Sequence, residues 1–357
     1  MLVSKKKIID IFCGIGGFSR GFLDLNYDVL LGIDIWDKAI LTFKKNHDKS
    51  EAIKEDVSKI PNSFFSKFRN KIDVIISGPP CQGFSMSGKR DPNDKRNSLF
   101  NEVIRITKYI KPKFVIIENV PGLKSMKTHN GYPIDRLIVE SFKEIKYSVT
   151  SKILNAADFG VPQLRKRVFF IASSKKEFTF PKPTHCENNL FSGYNGEFKK
   201  WITTGEALGD IPDIGKNKYL KPQNEFQKKM SNCSDKILNH YSMKHSKMVI
   251  KRMSMVPHGG NWTNIPKKFY NIGGEHSNNY KRLDPKKPAI TIKHAIKSMI
   301  IHPKFNRCLT PREVARLQGF DNLFELIGTK SDQHQLLANA VPPAFGNAFA
   351  KKIKELL

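Results

Sequence analysis

Six short runs of β-branched and aromatic residues recur between Lys7 and Ala172, and this rhythm constrains the fold more than any other feature of the sequence. The runs are Lys7 to Phe12, Val29 to Ile33, Val74 to Ser77, Phe114 to Glu118, Ser148 to Leu154 and Val168 to Ala172. Stretches such as Trp36 to Asn46 and Leu99 to Ile110 separate them and carry apolar residues at helical spacing. Strands that are apolar almost throughout, joined by helices, predict an α/β domain with a parallel sheet covered on both faces. From about residue 178 the texture changes. Pro181, Pro183, Gly193, Gly196, Gly205, Pro212 and Gly215 interrupt every pattern, which predicts a loop-rich second domain. Order returns at Thr310-Pro311-Arg312-Glu313, a capping box with proline at the first helical position, and Gly319 is placed to end that helix. Residues 335 to 357 give a further apolar helical stretch around Pro342-Pro343.

A chain of 357 residues, 39% of them hydrophobic, has room for about two domains and a sizeable core. Its 61 Lys+Arg against 33 Asp+Glu leave a net charge of +28, which points to a polyanionic partner, nucleic acid first. The plainer reading is a lysine-rich composition that coats the surface. The five cysteines (Cys13, Cys81, Cys186, Cys233, Cys308) are scattered and odd in number, with no Cys-x-x-Cys pair, so neither a disulfide framework nor a zinc site is expected. No apolar run is long enough to cross a bilayer, and the expectation is a soluble intracellular protein in a reducing compartment.

Four segments carry chemistry. In the first, Asp10-Ile-Phe12-Cys-Gly14-Ile-Gly16-Gly17-Phe18, a strand runs into a glycine turn where a ligand can approach the backbone. Ser19 stands where a dinucleotide fingerprint needs its third glycine, which weakens a nicotinamide reading. Asp34, at the end of the next strand, is placed either to accept from ribose hydroxyls or to cap the following helix. In the second segment, Cys81 follows Gly78-Pro79-Pro80 at the carboxyl end of an apolar strand, where a stiff loop suits a nucleophile better than an inert thiol. The third, Phe114-Val-Ile-Ile-Glu118-Asn119-Val120, ends a buried strand in a carboxylate that could serve as a general acid or merely cap a turn. The fourth, Gln163-Leu-Arg165-Lys-Arg167, offers two guanidiniums for phosphate or a base edge, or simply a basic strand rim.

Taken in order, these segments resemble the cytosine-C5 DNA methyltransferase family. Gly-Pro-Pro-Cys-Gln-Gly-Phe-Ser at 78 to 85, Glu118-Asn119-Val120 and Gln163-x-Arg165-x-Arg167 are similar to its motifs. So are Leu309-Thr-Pro-Arg-Glu-Val-Ala-Arg-Leu-Gln-Gly-Phe320 and Ala338-Asn339-Ala-Val341-Pro342. The matches span nearly the whole chain except about 178 to 300. The resemblance implies a Rossmann-like catalytic and cofactor domain at 1–177. It also implies a smaller target-recognition domain at 178–320, which includes the helix at 310–319, and a segment at 321–357 that returns to the first domain.

By the same resemblance Cys81 adds to C6 of a flipped-out cytosine, Glu118 protonates or hydrogen-bonds N3, Arg165 and Arg167 help hold the base, and Asn119 orders the loops. S-adenosyl-L-methionine, converted to S-adenosyl-L-homocysteine, would be held by Phe12, Gly14, Gly16, Gly17, Phe18, Asp34, Asp56, Pro79, Asn339 and Val341. Ile35 and Trp36 both remain candidates for the second face of the adenine. Two departures stand out: Asp34 where the family more often has Glu, and Ala338 in place of a usual glycine. No metal is implied. The implied partner is double-stranded DNA, and the implied protein a cytoplasmic, nucleoid-associated monomer of bacterial or phage origin whose companion restriction endonuclease does not bind stably. The alternatives are a transfer RNA methyltransferase of the same fold, a non-catalytic DNA-binding protein on this scaffold, and a nicotinamide-dependent oxidoreductase.

Overall fold

The computed structural model describes residues 5–80, 99–128, 130–175, 178–187, 198–231, 236–270 and 277–357. Cys81 and Cys233 lie outside them. The described chain divides into two compact units, one built from 1–155, 166–182 and 345–357, the other from 156–165 and 183–344. These divisions follow the chain order less simply than boundaries after 177 and 320 would.

The first unit is built on a sheet of seven strands: β1 (Lys7–Ile11), β2 (Asp28–Asp34), β3 (Glu51–Lys54), β4 (Val74–Ser77), β5 (Phe114–Asn119), β6 (Ser148–Asn155) and β7 (Lys166–Ser173). Their order is β3-β2-β1-β4-β5-β7-β6. Strands β1 to β5 are parallel, but β7 runs antiparallel between β5 and β6, which corrects the expectation of an all-parallel sheet. The reason lies in the connection. β6 and β7 are joined by only ten residues, Ala156 to Arg165, too few for a helical crossover, and short connections join antiparallel neighbours.

The helices of this unit are α1 (Gly17–Leu23), α2 (Asp37–Asn46), α3 (Leu99–Ile110) and α4 (Ile134–Glu144). Alternate strand residues serve opposite faces. Ile9, Ile11, Ile75, Val115, Ile117 and Phe170 share one core with Phe100, Val103, Ile106 of α3 and Ile138, Phe142 of α4. On the other face Phe169 packs edge-on against Phe18 and Phe345 and at a tilt against Phe349, and Phe43 of α2 lies over Gly32, where a Cβ would stand 2.4 Å from its ring. Burial on both faces explains why these strands read as continuous apolar runs. The chain turns outward in opposite senses from β1 and β4, so the carboxyl ends of these two neighbours flank the sheet's topological switch point, where open α/β sheets bind ligands.

The second unit holds the short pair β8 (His185–Cys186) and β9 (Lys199–Lys200), with α5 (Thr204–Leu208), α6 (Glu225–Ser231), α7 (Lys247–Ser254), α8 (Pro311–Leu317) and α9 (Lys330–Asn339). A last helix, α10 (Pro343–Leu356), contributes its residues from Phe345 onward to the first unit. The helical stretch expected over 335–357 is thus two helices, separated at Ala340 to Pro342. With few ladders to satisfy its backbone, the second unit uses buried guanidiniums, whose five donors suit scattered carbonyls. Arg282 donates to the carbonyls of Val256, His302 and Met253 at 2.7, 2.9 and 2.7 Å. Arg312 holds Leu238 and Asp321 carbonyls, and Arg316 reaches Asp210 Oδ1 and Asn322 Oδ1, both at 2.6 Å. The expected capping box is present, with Thr310 accepting from Glu313 N and Glu313 from Thr310 N. Gly319, at φ 78°, ends the helix.

Candidate active site

β1 leaves the sheet at Phe12, which itself adopts a left-handed φ of 60°, and the chain turns through Gly14 and Gly16 at 53° and 79°. Gly14 N donates to Asp34 Oδ2 at 2.9 Å, and Asp34 Oδ1 accepts from Trp36 N at 2.9 Å. Asp34 therefore ties the glycine turn to the exit of β2, and the helix it was weighed as capping instead has Trp36 at its N-cap. Burial pushes the Asp34 carboxyl above its ordinary value against the pull of its backbone donors from Trp36, Gly14 and Ile35. Among the described residues a Cβ on Gly14 would meet nothing within 4 Å, whereas one on Gly16 would collide with His47 and Phe43. One side of the turn is open and the other is packed. Ile35 is 65% exposed beside it and Trp36 half-buried, while Phe18 is only 3% exposed among Phe22, Phe169 and Phe349. Of the three, Ile35 and Trp36 have the apolar surface to offer a ligand.

The second cluster stands at the carboxyl ends of β4 and β5. Gly78 N donates to Ile11 O at 3.3 Å, which brings the start of the proline loop beside the end of β1. Asn119 is buried and donates through Nδ2 to Pro79 O at 3.3 Å, while its Oδ1 accepts from Val120 N at 2.8 Å. Antiparallel β7 then delivers Arg167, whose Nε lies 2.7 Å from Glu118 Oε1. Glu118 is buried, and its Oε2 lies 3.6 Å from where a Gly78 Cβ would stand. Glu118, Asn119, Arg167 and the Gly78-Pro79-Pro80 segment thus form one constellation, which ends at the residue immediately before Cys81.

Arg165 is placed differently from Arg167. It belongs to the second unit, is buried, and its Nη2 donates to Ala338 O at 2.9 Å and Ala340 O at 2.8 Å. Its guanidinium shapes the turn that carries exposed Asn339 and buried Val341. Asn339 Oδ1 accepts from Gln335 Nε2 at 3.0 Å. Asp56 caps the short turn Val57–Lys59, accepting from Ser58 N and Oγ, and these bonds hold its carboxyl below the ordinary value. In the second unit His258 Nε2 lies 2.9 Å from Pro303 O, and Asn261 caps Trp262–Asn264.

Two other described cysteines, Cys13 and Cys308, are buried thiols and poor nucleophiles. Burial, with Asp10 and Asp34 nearby, pushes the Cys13 thiol far up, and burial pushes Cys308 to about 12. Among the described residues no group of three or more His, Cys, Asp or Glu could hold a metal, and no helix is long and apolar enough to cross a membrane. Sequence reasoning passed over Ser19 and His47, which lie directly behind the glycine turn; only Ser19's place in the missing third-glycine position hinted at them.

A seven-strand sheet with an antiparallel hairpin at one edge, a glycine turn after β1 and an acid after β2 defines a methyltransferase-fold domain. The model of the C-5 cytosine-specific DNA methylase family matches residues 6–355, and the chain belongs to that family. Its relatives include the type II methyltransferase M1.HphI of Haemophilus parahaemolyticus, 36% identical over 98% of this chain and 86% of that one. M.DdeI of Desulfomicrobium norvegicum is 35% identical over 97% and 88%. Among solved structures, one described as a DNA modification methyltransferase encoded within an E. coli prophage superposes with a TM-score of 0.78 at 27% identity over 99% of each chain. An Entamoeba histolytica methyltransferase, 17% identical with a TM-score of 0.64 over 99% and 100%, shares the fold. The motif-based family expectation stands: the chain is a DNA cytosine-C5 methyltransferase, and DNA is its substrate.

Proposed function

We propose that Cys81 is the nucleophile of this methyltransferase, adding to C6 of a cytosine turned out of duplex DNA, with Glu118 at N3. The observation that carries the reading is the Glu118–Arg167 pair at 2.7 Å beside Asn119, which holds the Pro79 carbonyl two residues before Cys81. Cytosine C5 is a weak nucleophile. Thiolate addition at C6, with a hydrogen bond or proton delivered to N3, turns the ring into an enamine whose C5 can accept a methyl group. Loss of the C5 proton then expels the Cys81 sulfur by β-elimination. Arg167 fixes the direction of the Glu118 carboxyl, and Asn119 fixes the proline loop. Arg165 acts at one remove, by shaping the 338–341 turn.

S-adenosyl-L-methionine supplies the electrophilic methyl group, carried on a sulfonium. The residues at the glycine turn suit it: Gly14 opens onto free space, Asp34 presents an acceptor at the end of β2, and Ile35 and Trp36 offer apolar surface for an adenine. Asn339 and Val341, with Pro79, are assigned to its methionine end and Asp56 to the adenine amino group. A base in a duplex hides both faces of its ring, so the chemistry requires extrusion. We assign recognition of the DNA sequence to the second domain, supported by its exposed lysines such as Lys247, Lys251, Lys267 and Lys268; the buried arginines there serve the fold. The relatives' names support a place in a restriction-modification system, with a separate endonuclease as the companion activity. Bisulfite sequencing of DNA from cells producing the protein tests the reading. Converted-resistant cytosines in one sequence context, absent with Cys81→Ala, are expected; equal protection with Cys81→Ala removes the mechanism.

A further inference from the structure

Just past the end of β3, Asp56 caps the turn Val57–Lys59 with one carboxylate oxygen. Both bonds it accepts from Ser58, at 3.0 Å from N and 2.8 Å from Oγ, fall on Oδ1, and Oδ2 takes no part in the cap. The turn is short and lightly closed: Lys59 N donates to Asp56 O at 2.9 Å and Ile60 N to Val57 O at 3.3 Å. So few bonds do little against the entropy of ordering the chain, and they do not by themselves hold a carboxylate in one direction.

Helix α3 provides what the turn lacks. Val57 and Ile60 share a core with Val103 and Ile106 of this helix, a contact that sets the depth of the turn but is not directional. Direction comes from Arg105, whose guanidinium bonds to the turn and to the residue that follows it. Its Nη2 donates to Val57 O at 3.1 Å and its Nη1 to Asn62 Oδ1 at 2.5 Å. Its Nε donates to Glu102 Oε2 at 2.8 Å, one turn earlier on α3. A partly exposed pair between neighbours on one helix contributes little alone. What marks Arg105 is that its other two bonds leave the helix, for acceptors 48 and 43 positions away. A lysine could not make all three at once, because an ammonium is a single point on a flexible stem.

We infer that Arg105 is a positioning residue for S-adenosylmethionine: by clamping Val57 O and Asn62 to α3 it keeps the Asp56 carboxylate directed at the amino group of the adenine. The inference rests on the assignment of Asp56 to that amino group. An ionised carboxylate only accepts and the adenine amino group donates. The bonds from Ser58 keep Asp56 in the accepting form by holding its carboxyl below the ordinary value. A hydrogen bond weakens steeply as its angle closes, so a turn free to tilt loses the amino-group contact before it loses its packing.

The test separates this role from support of the fold. The full-length protein is titrated in a calorimeter with S-adenosylhomocysteine and with S-inosylhomocysteine, which presents a carbonyl where adenine has its amino group. Wild type should prefer the adenosyl compound by about tenfold or more. Arg105→Ala should weaken the adenosyl compound by about tenfold and the inosyl compound by less than about twofold, so that the preference collapses. Arg105→Lys keeps the charge beside Glu102 but not the fork; it should fall between the two, and it carries the same reading if the alanine variant does not fold. A loss of equal size for both ligands would mean that Arg105 only supports the fold and would overturn the inference, as would no loss for either. Asp56→Asn checks the assignment beneath it. That variant keeps Oδ1 for the cap and sets an amide donor in place of Oδ2, so it should turn the preference toward the inosyl compound. If Asp56→Asn discriminates as wild type does, the adenine assignment fails and the inference with it. If Asp56→Asn reverses the preference while Arg105→Ala retains it, the inference alone fails.

Discussion

Replacing Gly16 by alanine tests the packed side of the glycine turn. The backbone at Gly16 has φ 79°, a conformation that costs an L-residue about 1–2 kcal/mol. The new methyl would also stand 2.3 Å from His47 Cε1. The ring cannot swing aside cheaply, because it is stacked on Phe43 and bonded at both nitrogens, so overpacking adds about 1–3 kcal/mol. The sum is a destabilisation of about 2–5 kcal/mol, read as a lower midpoint in urea with an unchanged slope. Gly14→Ala is the matched control. It carries the backbone cost of a φ of 53° alone, since no described residue lies within 4 Å, but sets a methyl in the space proposed for the cofactor. It should lose about 1–2 kcal/mol of stability and more of its S-adenosylhomocysteine affinity than that figure accounts for. A Gly16→Ala protein within about 1 kcal/mol of wild type would refute the claim that the turn rests on a rigid His47.

The two arginines of the 163–167 segment should separate cleanly. Arg167→Lys, which loses the planar contact to Glu118, should lower kcat by about a hundredfold with little change in stability, whereas Arg165→Lys should lower stability by about 1–3 kcal/mol through the Ala338 and Ala340 carbonyls; equal profiles for both would show that their roles are not divided. Acid should destabilise the protein from about pH 6.5 downward. Burial holds His302 at about 4 and His334 at about 3, both below the unfolded value of 6.5, so the unfolded chain binds more protons and stability falls as pH drops through that window. His334→Phe should flatten the urea-midpoint profile between pH 6.5 and 4, and an unaltered slope would count against it. Binding to duplex DNA should weaken steeply with salt as phosphate contacts release counterions, and a flat response would mean that the +28 charge is not aimed at DNA.

Much of this was legible in the sequence because local chemistry and tertiary structure agree. Val74 to Ser77 is a strand in both, and the Thr310 capping box and Gly319 stop are decided within ten residues. β3 escaped notice because Glu51-Ala-Ile-Lys54 has one strong apolar residue and half-exposed neighbours. The direction of β7 is a property of its connection, which composition does not display. The spacing Gln163-x-Arg165-x-Arg167 suggested two equivalent guanidiniums, yet one is buried on carbonyls of its own unit and the other meets Glu118. The Ser19–His47 contact joins residues 28 positions apart, from α1 and the end of α2, so no spacing rule could have found it.

The central claim is a transient bond between the Cys81 sulfur and C6 of cytosine. Duplex DNA made with 5-fluorodeoxycytidine in place of deoxycytidine traps such a bond, because fluorine at C5 cannot leave as a proton does. Incubation with the protein and S-adenosylmethionine, followed by proteolysis and tandem mass spectrometry, should find a methylated fluorocytosine nucleotide attached to Cys81 and to no other residue. An active preparation that gives no adduct, or one attached elsewhere, would contradict the account.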